Sequence, residues 1–267
     1  MKIIYIAGYG HSGSTLIGKL LGSSKKNFYI GESQSLYYWV NKNHKYIKDY
    51  NCDCGSDIES CPFWSQIIHD PIKNPKARDK LKVLKEIFFP GKKNHCTTKV
   101  FGIIDKLKPG AENIIDSSKN VAKLVELISN RNINVDVIHL IRDPRGVAWS
   151  REKTGSYVFK TMLDWLVTNT LVSIVKFRNK SVRFHKVSYN KFTEYPESFY
   201  EPFRLNAYTV IDDVNNETYH SFCGNVNRNR KLEYIKQDDS WKKNLKGLNL
   251  LMANITYVIG RIFWGEL

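Results

Sequence analysis

The first two dozen residues constrain this chain more than any other stretch. Lys2-Ile3-Ile4-Tyr5-Ile6-Ala7 is a near-continuous apolar run, the pattern of a strand buried on both faces of a parallel sheet. It passes directly into Gly8-Tyr9-Gly10-His11-Ser12-Gly13-Ser14-Thr15, after which Leu16, Ile17, Leu20 and Leu21 recur at helical spacing up to Gly22. Strand, glycine-rich turn and helix form the context of a phosphate loop, where glycines let backbone N–H groups approach an anion at a helix N-terminus. A nucleoside-triphosphatase loop would place lysine where Ser14 stands. The loop therefore lacks the side chain that neutralises β- and γ-phosphates, and no strand-final aspartate offers itself to magnesium. The competing reading is a glycine turn that holds no ligand.

Further along, Asn27–Ile30 reads as a second strand ending at Gly31-Glu32, and Ser33–Val40 as a helix. Helices are expected from Pro62, over Ala77–Phe88, over Asn120–Ser129, over Gly146–Glu152, over Ser156–Phe177 and over Asn249–Phe263. Strands are expected at Asn113–Ile115, Val135–Ile141 and Val182–Val187, while 194–229 resists assignment. Strands alternating with helices predict an α/β fold: a P-loop-type parallel sheet flanked by helices, as a single domain over 1–267 with a cysteine-bearing insertion near 41–64.

The net charge is +15, from 41 Lys and Arg against 26 Asp and Glu, which favours an anionic partner without choosing one. No run of about 18 apolar residues occurs, so a spanning helix is not expected. The N-terminal apolar run is too short for a signal-peptide core, so a cytoplasmic protein is expected. Leu250, Leu251, Ile255, Val258, Ile259, Ile262 and Phe263 form an apolar stripe near the C-terminus. Such a stripe is expected in the core, with contact to a membrane surface as the alternative.

A second motif lies at Arg142-Asp143-Pro144-Arg145, where the clearest strand ends. Asp143 can cap the following helix and Pro144 suits its first turn. Arg142 then points into the ligand crevice of an open α/β sheet. Ser150, eight residues on, can return beside it after a short turn and about one and a half helical turns. A guanidinium and a hydroxyl together suit a terminal phosphate. The alternative is an ordinary surface arginine and helix serine.

Together these residues resemble the sulfotransferase family that uses 3′-phosphoadenosine 5′-phosphosulfate (PAPS). The family's 5′-phosphosulfate loop is similar to His11-Ser12-Gly13-Ser14-Thr15, and its Arg-and-Ser 3′-phosphate signature to Arg142 and Ser150. Gly31-Glu32, the DSSK at 116–119, the VSYNKFTEYPE at 187–197 and the Cys-Asp-Cys-Gly…Cys-Pro-Phe-Trp of 52–64 extend the likeness over most of the chain. The resemblance implies PAPS as co-substrate, no required metal, and an acceptor hydroxyl or amine on a glycan, lipid-linked sugar, phenol, peptide tyrosine or other small molecule.

The resemblance also implies roles. Gly10, His11, Ser12, Gly13, Ser14 and Thr15 would hold the 5′-phosphate, and Arg142 and Ser150 the 3′-phosphate. The family places Lys or Arg where this chain has His11, so His11 either donates to the bridging oxygen or only orients the loop. Its charge varies near pH 7, unlike that of Lys or Arg. Glu32 matches the general base of the glycan and protein-tyrosine branches; otherwise it is a solvated acid at a helix N-terminus. Lys119 contacts the transferred sulfuryl group or is a solvated lysine. Tyr189 stacks on adenine or sits in the core. Gly224-Asn225 with Arg228 resembles a loop that closes over the nucleotide; an Asn-rich surface turn is the competitor. His139, within a buried strand, is expected to be a satisfied core histidine.

Cys52, Cys54 and Cys61 form C-x-C-x₆-C, one ligand short of a zinc set unless Cys96, His44 or His69 completes it. A thiol cluster without metal is the expectation. Two other functions compete: a P-loop kinase or other nucleotide-binding protein, weakened by the missing lysine, and a nucleic-acid-binding module, for which no recognition motif is present.

Overall fold

The computed structural model describes residues 2–40, 51–68, 80–88, 103–203, 205, 210–222, 224, 228 and 230–267. Strands β1 (Lys2–Gly8), β2 (Asn27–Gly31), β3 (Asn113–Lys119), β4 (Asn134–Ile141) and β5 (Arg183–Ser188) form one sheet in the order β2-β3-β1-β4-β5. Every pairing is parallel. The helices are α1 (Ser14–Gly22), α2 (Ser35–Val40), α3 (Lys80–Phe88), α4 (Val121–Ser129), α5 (Pro144–Glu152), α6 (Val158–Arg178), α7 (Tyr189–Glu194), α8 (Glu197–Phe203), α9 (Val210–Asn216), α10 (Trp241–Asn244) and α11 (Gly247–Trp264).

Both sheet faces are covered, which is why β1 is apolar without alternation. Ile3, Tyr5 and Ala7 join α3, α4, α6 and the cysteine insertion on one face, while Ile4 and Ile6 join α1, α7, α8 and α9 on the other. Tyr5 is fully buried, and its hydroxyl donates to the Asn120 carbonyl (2.8 Å) and accepts from the Asn120 amide (2.9 Å). Asn120 in turn caps α4 through its side chain. Asp143 caps α5 with Pro144 in its first turn, as the sequence predicts. His139 is the core histidine expected: burial pushes its pKa down to about 4, against the opposing hydrogen bond with Asn169 at 3.0 Å.

Beyond the short helices α7 and α10, which the sequence reading did not anticipate, two expectations fail. The helix expected from Pro62 is a single 3-10 turn, Trp64–Gln66, anchored where the Trp64 indole donates to the His220 carbonyl at 2.7 Å. The stripe on α11 faces outward, with Leu251, Ile255, Val258, Ile262 and Phe263 all exposed. The buried side of α11 carries Ala253, Thr256, Gly260 and Trp264, because a Cβ on Gly260 would stand 2.8 Å from the Trp165 ring. Small residues let α11 approach α6, and the larger apolar side chains are left outside. By length and composition α6 could cross a bilayer; in this fold its Met162, Trp165, Val172 and Val175 are buried.

Candidate active site

The sheet order reverses direction at β1, which sits between β3 and β4. Ligands of open α/β sheets bind beyond the carboxyl ends of the strands at such a point. The predicted site residues lie on that edge: the Gly8–Gly13 loop after β1, Glu32 after β2, Lys119 ending β3, Arg142 after β4 and Tyr189 after β5. Among the described residues, His11 (φ 62°) and Lys119 (φ 61°) are the non-glycine residues with left-handed backbones. Such conformations cost energy for L side chains and gather at functional sites.

The loop after β1 is tightly supported. Gly13 has φ 85°, and a Cβ there would stand 2.2 Å from the Tyr189 ring, so only glycine fits. Tyr189 is buried and packs beneath the loop, with the Arg142 guanidinium carbon 4.9 Å from its ring centre. Burial raises its pKa, opposed by Arg142. The Ser12 hydroxyl is buried with no hydrogen-bond partner. An orphaned hydroxyl inside a glycine-rich loop is a group that a bound anion's oxygen would satisfy.

The loop lacks its own lysine, but the fold supplies one from β3. Lys119 Nζ donates to Ser14 Oγ (3.0 Å), Glu32 Oε1 (2.6 Å) and the Ser117 carbonyl (2.9 Å). Ser14 is the residue that replaces the Walker lysine, so an ammonium still reaches that place from a neighbouring strand. Glu32 and Lys119 are both mostly buried. Gly224 approaches Glu32 closely: a Cβ there would be 3.3 Å from Oε1.

Arg142 and Ser150 meet through His11. Arg142 Nη1 donates to the His11 carbonyl at 2.9 Å. His11 Nδ1 and Ser150 Oγ are 2.8 Å apart, and Arg151 Nη1 lies 3.5 Å from His11 Nε2. Asp238 stands 3.8 Å from Arg142 Nη2. Burial would raise the Asp238 pKa, but hydrogen bonds from Ser240 and the charge of Arg142 hold it below the usual carboxylate range. The other arginine of this motif is occupied elsewhere: Arg145 pairs with Asp143 at 2.6 Å and lies over the Trp241 and Tyr257 rings.

A cleft of about 290 Å³ opens beside the first turn of α1, lined by Thr15, Leu16, Lys19, Arg228, Arg230 and Leu232, among others. Arg228 is buried there, pairing with Asp53 (2.8 Å) and donating to the Asn51 carbonyl (2.8 Å). Lys19 also reaches Asp53, at 3.3 Å. Cys52, Cys54 and Cys61 gather on either side of Asp53, which lines this cleft; Cys96, His44, His69 and Asn225 lie outside the described residues.

Sequence reasoning did not single out Arg151, Asp238, Lys19 or Asp53. Arg151, adjacent to Ser150, and Asp53, inside the Cys-Asp-Cys-Gly motif, carried a signal, because their neighbours already belonged to a motif. Lys19 and Asp238 reach the site through contacts between segments far apart in the chain.

No protein-family model matches the chain, and no curated protein matches it. Among solved structures it is similar to the sulfotransferase domain from the curacin biosynthetic pathway. That match has a TM-score of 0.56 at 14% identity, covering 95% of this chain and 96% of that one. It is also similar to the sulfotransferase domain of the Synechococcus PCC 7002 olefin synthase, with a TM-score of 0.58 at 15% identity, covering 97% and 94%. At these identities the likeness is one of fold, and it spans nearly the whole of each chain.

Proposed function

We propose that this chain, folded as sulfotransferase domains are, moves a sulfuryl group from PAPS to an acceptor hydroxyl or amine. The observation that carries the reading is the convergence of Lys119, Ser14 and Glu32 at one end of the β1 loop, with Arg142, Ser150 and His11 at the other. The orphaned Ser12 hydroxyl supports an anion within the loop itself. Ser12, Ser14 and Thr15 would hold the 5′-phosphate, Arg142 and Ser150 the 3′-phosphate, and the cleft lined by Leu16 and Arg228 the nucleoside.

Sulfuryl transfer asks the protein to position two reactants and to stabilise spread negative charge. The bond from sulfur to the bridging phosphate oxygen breaks, and one from sulfur to the acceptor oxygen or nitrogen forms. Lys119 supplies the fixed positive charge for the sulfuryl oxygens. As its ammonium turns to them it releases Glu32 Oε1, and Glu32 takes the acceptor's proton. His11, in contact with Ser150, Arg142 and Arg151, links the two phosphate subsites and donates toward the bridging oxygen from the loop's left-handed turn. The acceptor is a small molecule or glycan end; the exposed face of α11 would suit a lipid-linked sugar.

The test is calorimetry with adenosine 3′,5′-bisphosphate and with ATP, followed by transfer of sulfur-35 from labelled PAPS to a panel of acceptors. Tight magnesium-independent bisphosphate binding with weak ATP binding is expected. Magnesium-dependent ATP binding would favour a kinase instead.

A further inference from the structure

We infer that Cys52, Cys54, Cys61 and His220 bind one structural zinc ion that clamps the cysteine-bearing segment 52–61 to the irregular segment 219–222. This does not rest on the proposed transfer reaction. It reverses the expectation of a metal-free thiol cluster, because the fold supplies a fourth ligand that the sequence did not offer.

The geometry is that of a four-ligand site. The Cys61 and Cys52 sulfurs are 3.6 Å apart, those of Cys54 and Cys61 3.7 Å, and Cys61 Sγ lies 3.3 Å from His220 Nδ1. All four ligand atoms lie within 4.8 Å of one another. A tetrahedral zinc with Zn–S of about 2.3 Å and Zn–N of about 2.0 Å sets its sulfurs about 3.8 Å apart and sulfur to nitrogen about 3.5 Å. These three separations fall within about 0.2 Å of those values, and the remaining pairs exceed them by about 1.3 Å at most, so modest side-chain shifts close the cluster on an ion. Three thiols plus an imidazole is a Cys₃His donor set, which selects zinc among common divalent ions. A disulfide would use two of the three thiols and leave the imidazole and the third thiol without a role.

The surroundings hold the ligands in place. Cys52 and Cys54 sit on a turn closed by the Gly55 amide on the Cys52 carbonyl (2.9 Å) and the Cys52 amide on the Ser56 carbonyl (2.8 Å). The His220 ring stacks on Phe28 of β2, with centroids 5.6 Å apart and planes 9° apart. The His220 carbonyl is held by the Trp64 indole. Such outer contacts fix an imidazole's orientation before a metal arrives. Four protein ligands leave no open position, so the role is structural rather than catalytic.

The clamp bears on the crevice. The residue after His220, Ser221, accepts the Asp53 amide at its carbonyl (2.8 Å) and donates its hydroxyl to Asp53 Oδ2 (2.6 Å). Asp53 lies between two of the ligands and holds Arg228 and Lys19. Ser221 also packs on Gly31, next to Glu32. Metal binding would thus set the wall of the nucleotide cleft and the approach to Glu32 from one point.

The experiment is elemental analysis of the purified full chain, followed by cobalt(II) titration of the reduced, metal-stripped protein. About one zinc per chain is expected, falling below about a fifth in Cys61→Ser and His220→Ala and kept in His220→Cys. Cobalt should give the strong visible bands of a tetrahedral thiolate site, and stripping the zinc should lower the melting temperature by about 5 °C or more. If the variants fail to fold, the wild-type zinc content and cobalt spectrum decide alone. Wild-type protein without zinc that also gives no tetrahedral cobalt bands would overturn the inference. So would a disulfide among these three cysteines in the freshly isolated protein.

Discussion

Replacing Arg142 by alanine should erase the preference for adenosine 3′,5′-bisphosphate over adenosine 5′-monophosphate. Arg142 is buried, its Nη1 is committed to the His11 carbonyl at 2.9 Å, and Tyr189 underlies its guanidinium plane. Packing thus fixes the direction of Nη2, whose close acid among the described residues is Asp238 at 3.8 Å. That separation is too long for a hydrogen bond, and the Asp238 side chain is 46% exposed, so a phosphate displaces it cheaply. A charge-assisted hydrogen bond contributes about 1.5–3 kcal/mol, or about 10- to 150-fold in affinity. Arg142→Ala also removes support from the loop, but that loss weakens both nucleotides alike and cancels in their ratio. Calorimetry on two proteins with two nucleotides therefore isolates the 3′-phosphate contact. The ratio should collapse by about 10- to 150-fold in Arg142→Ala, and by about 2- to 10-fold in Ser150→Ala, where a neutral hydroxyl is lost. Equal weakening of both nucleotides would mean that Arg142 only braces the loop, and the 3′-phosphate assignment would fail.

Glu32→Gln should lower sulfur-35 transfer by about 10²- to 10⁴-fold with bisphosphate affinity almost unchanged; near-normal transfer would exclude Glu32 as the base. His11→Arg should retain more transfer than His11→Ala, since the arginine keeps a donor at the bridging oxygen. Equal loss in both, with normal circular dichroism, would leave His11 only its tie to Ser150. Burial would raise the Asp116 pKa, but the Lys123 ammonium at 2.6 Å, with the Ser118 and Ser33 hydroxyls, holds it below the usual carboxylate range. A depressed folded pKa gives stability that is present above the unfolded value, near 4, and lost as pH falls through the folded one. Lys123→Met should therefore cost about 3 kcal/mol at neutral pH, the low end for a buried pair because Lys123 is a fifth exposed. Urea melts at pH 7 and pH 3 would check this, and an equal cost at both would refute it.

The sheet and the glycine-rich loop after β1 were legible because their signals are local. An apolar run, a glycine turn and a helical period sit next to each other in β1 and α1, and Asp143-Pro144 marks the start of α5 directly. Lys119 was legible as a strand-end lysine. Its contact with Ser14, which spans 105 residues, was not. His220 lies 159 residues from Cys61 and carries no spacing signal toward it. The α11 stripe misled for a different reason. Hydrophobicity marks the larger side chains, whereas close helix contact with Trp165 selected the small ones on the opposite side.

The +15 net charge is a weak guide to the site, because most of the crevice's named cations already face an acid. Lys119 is matched by Glu32, Arg142 faces Asp238, and Arg228 and Lys19 share Asp53. Each cation is thereby held in position without a ligand, which lowers the cost of leaving a mostly buried charge unpaired. The pairs are not equal. Asp53 is 3% exposed and held by the neighbouring Ser221, so its ion pairs persist and shape the cleft. Asp238 is nearly half exposed and beyond hydrogen-bond length, so its partner is the cation most open to exchange. Glu32 lies between these extremes, and its release from Lys119 would couple arrival of a negative group at the loop to exposure of a base. An anion entering this crevice therefore does not meet a bare positive patch. It must displace acids, and the order in which they yield, Asp238 before Glu32 and Asp53 not at all, would let the 3′-phosphate dock before the transferred group engages Lys119.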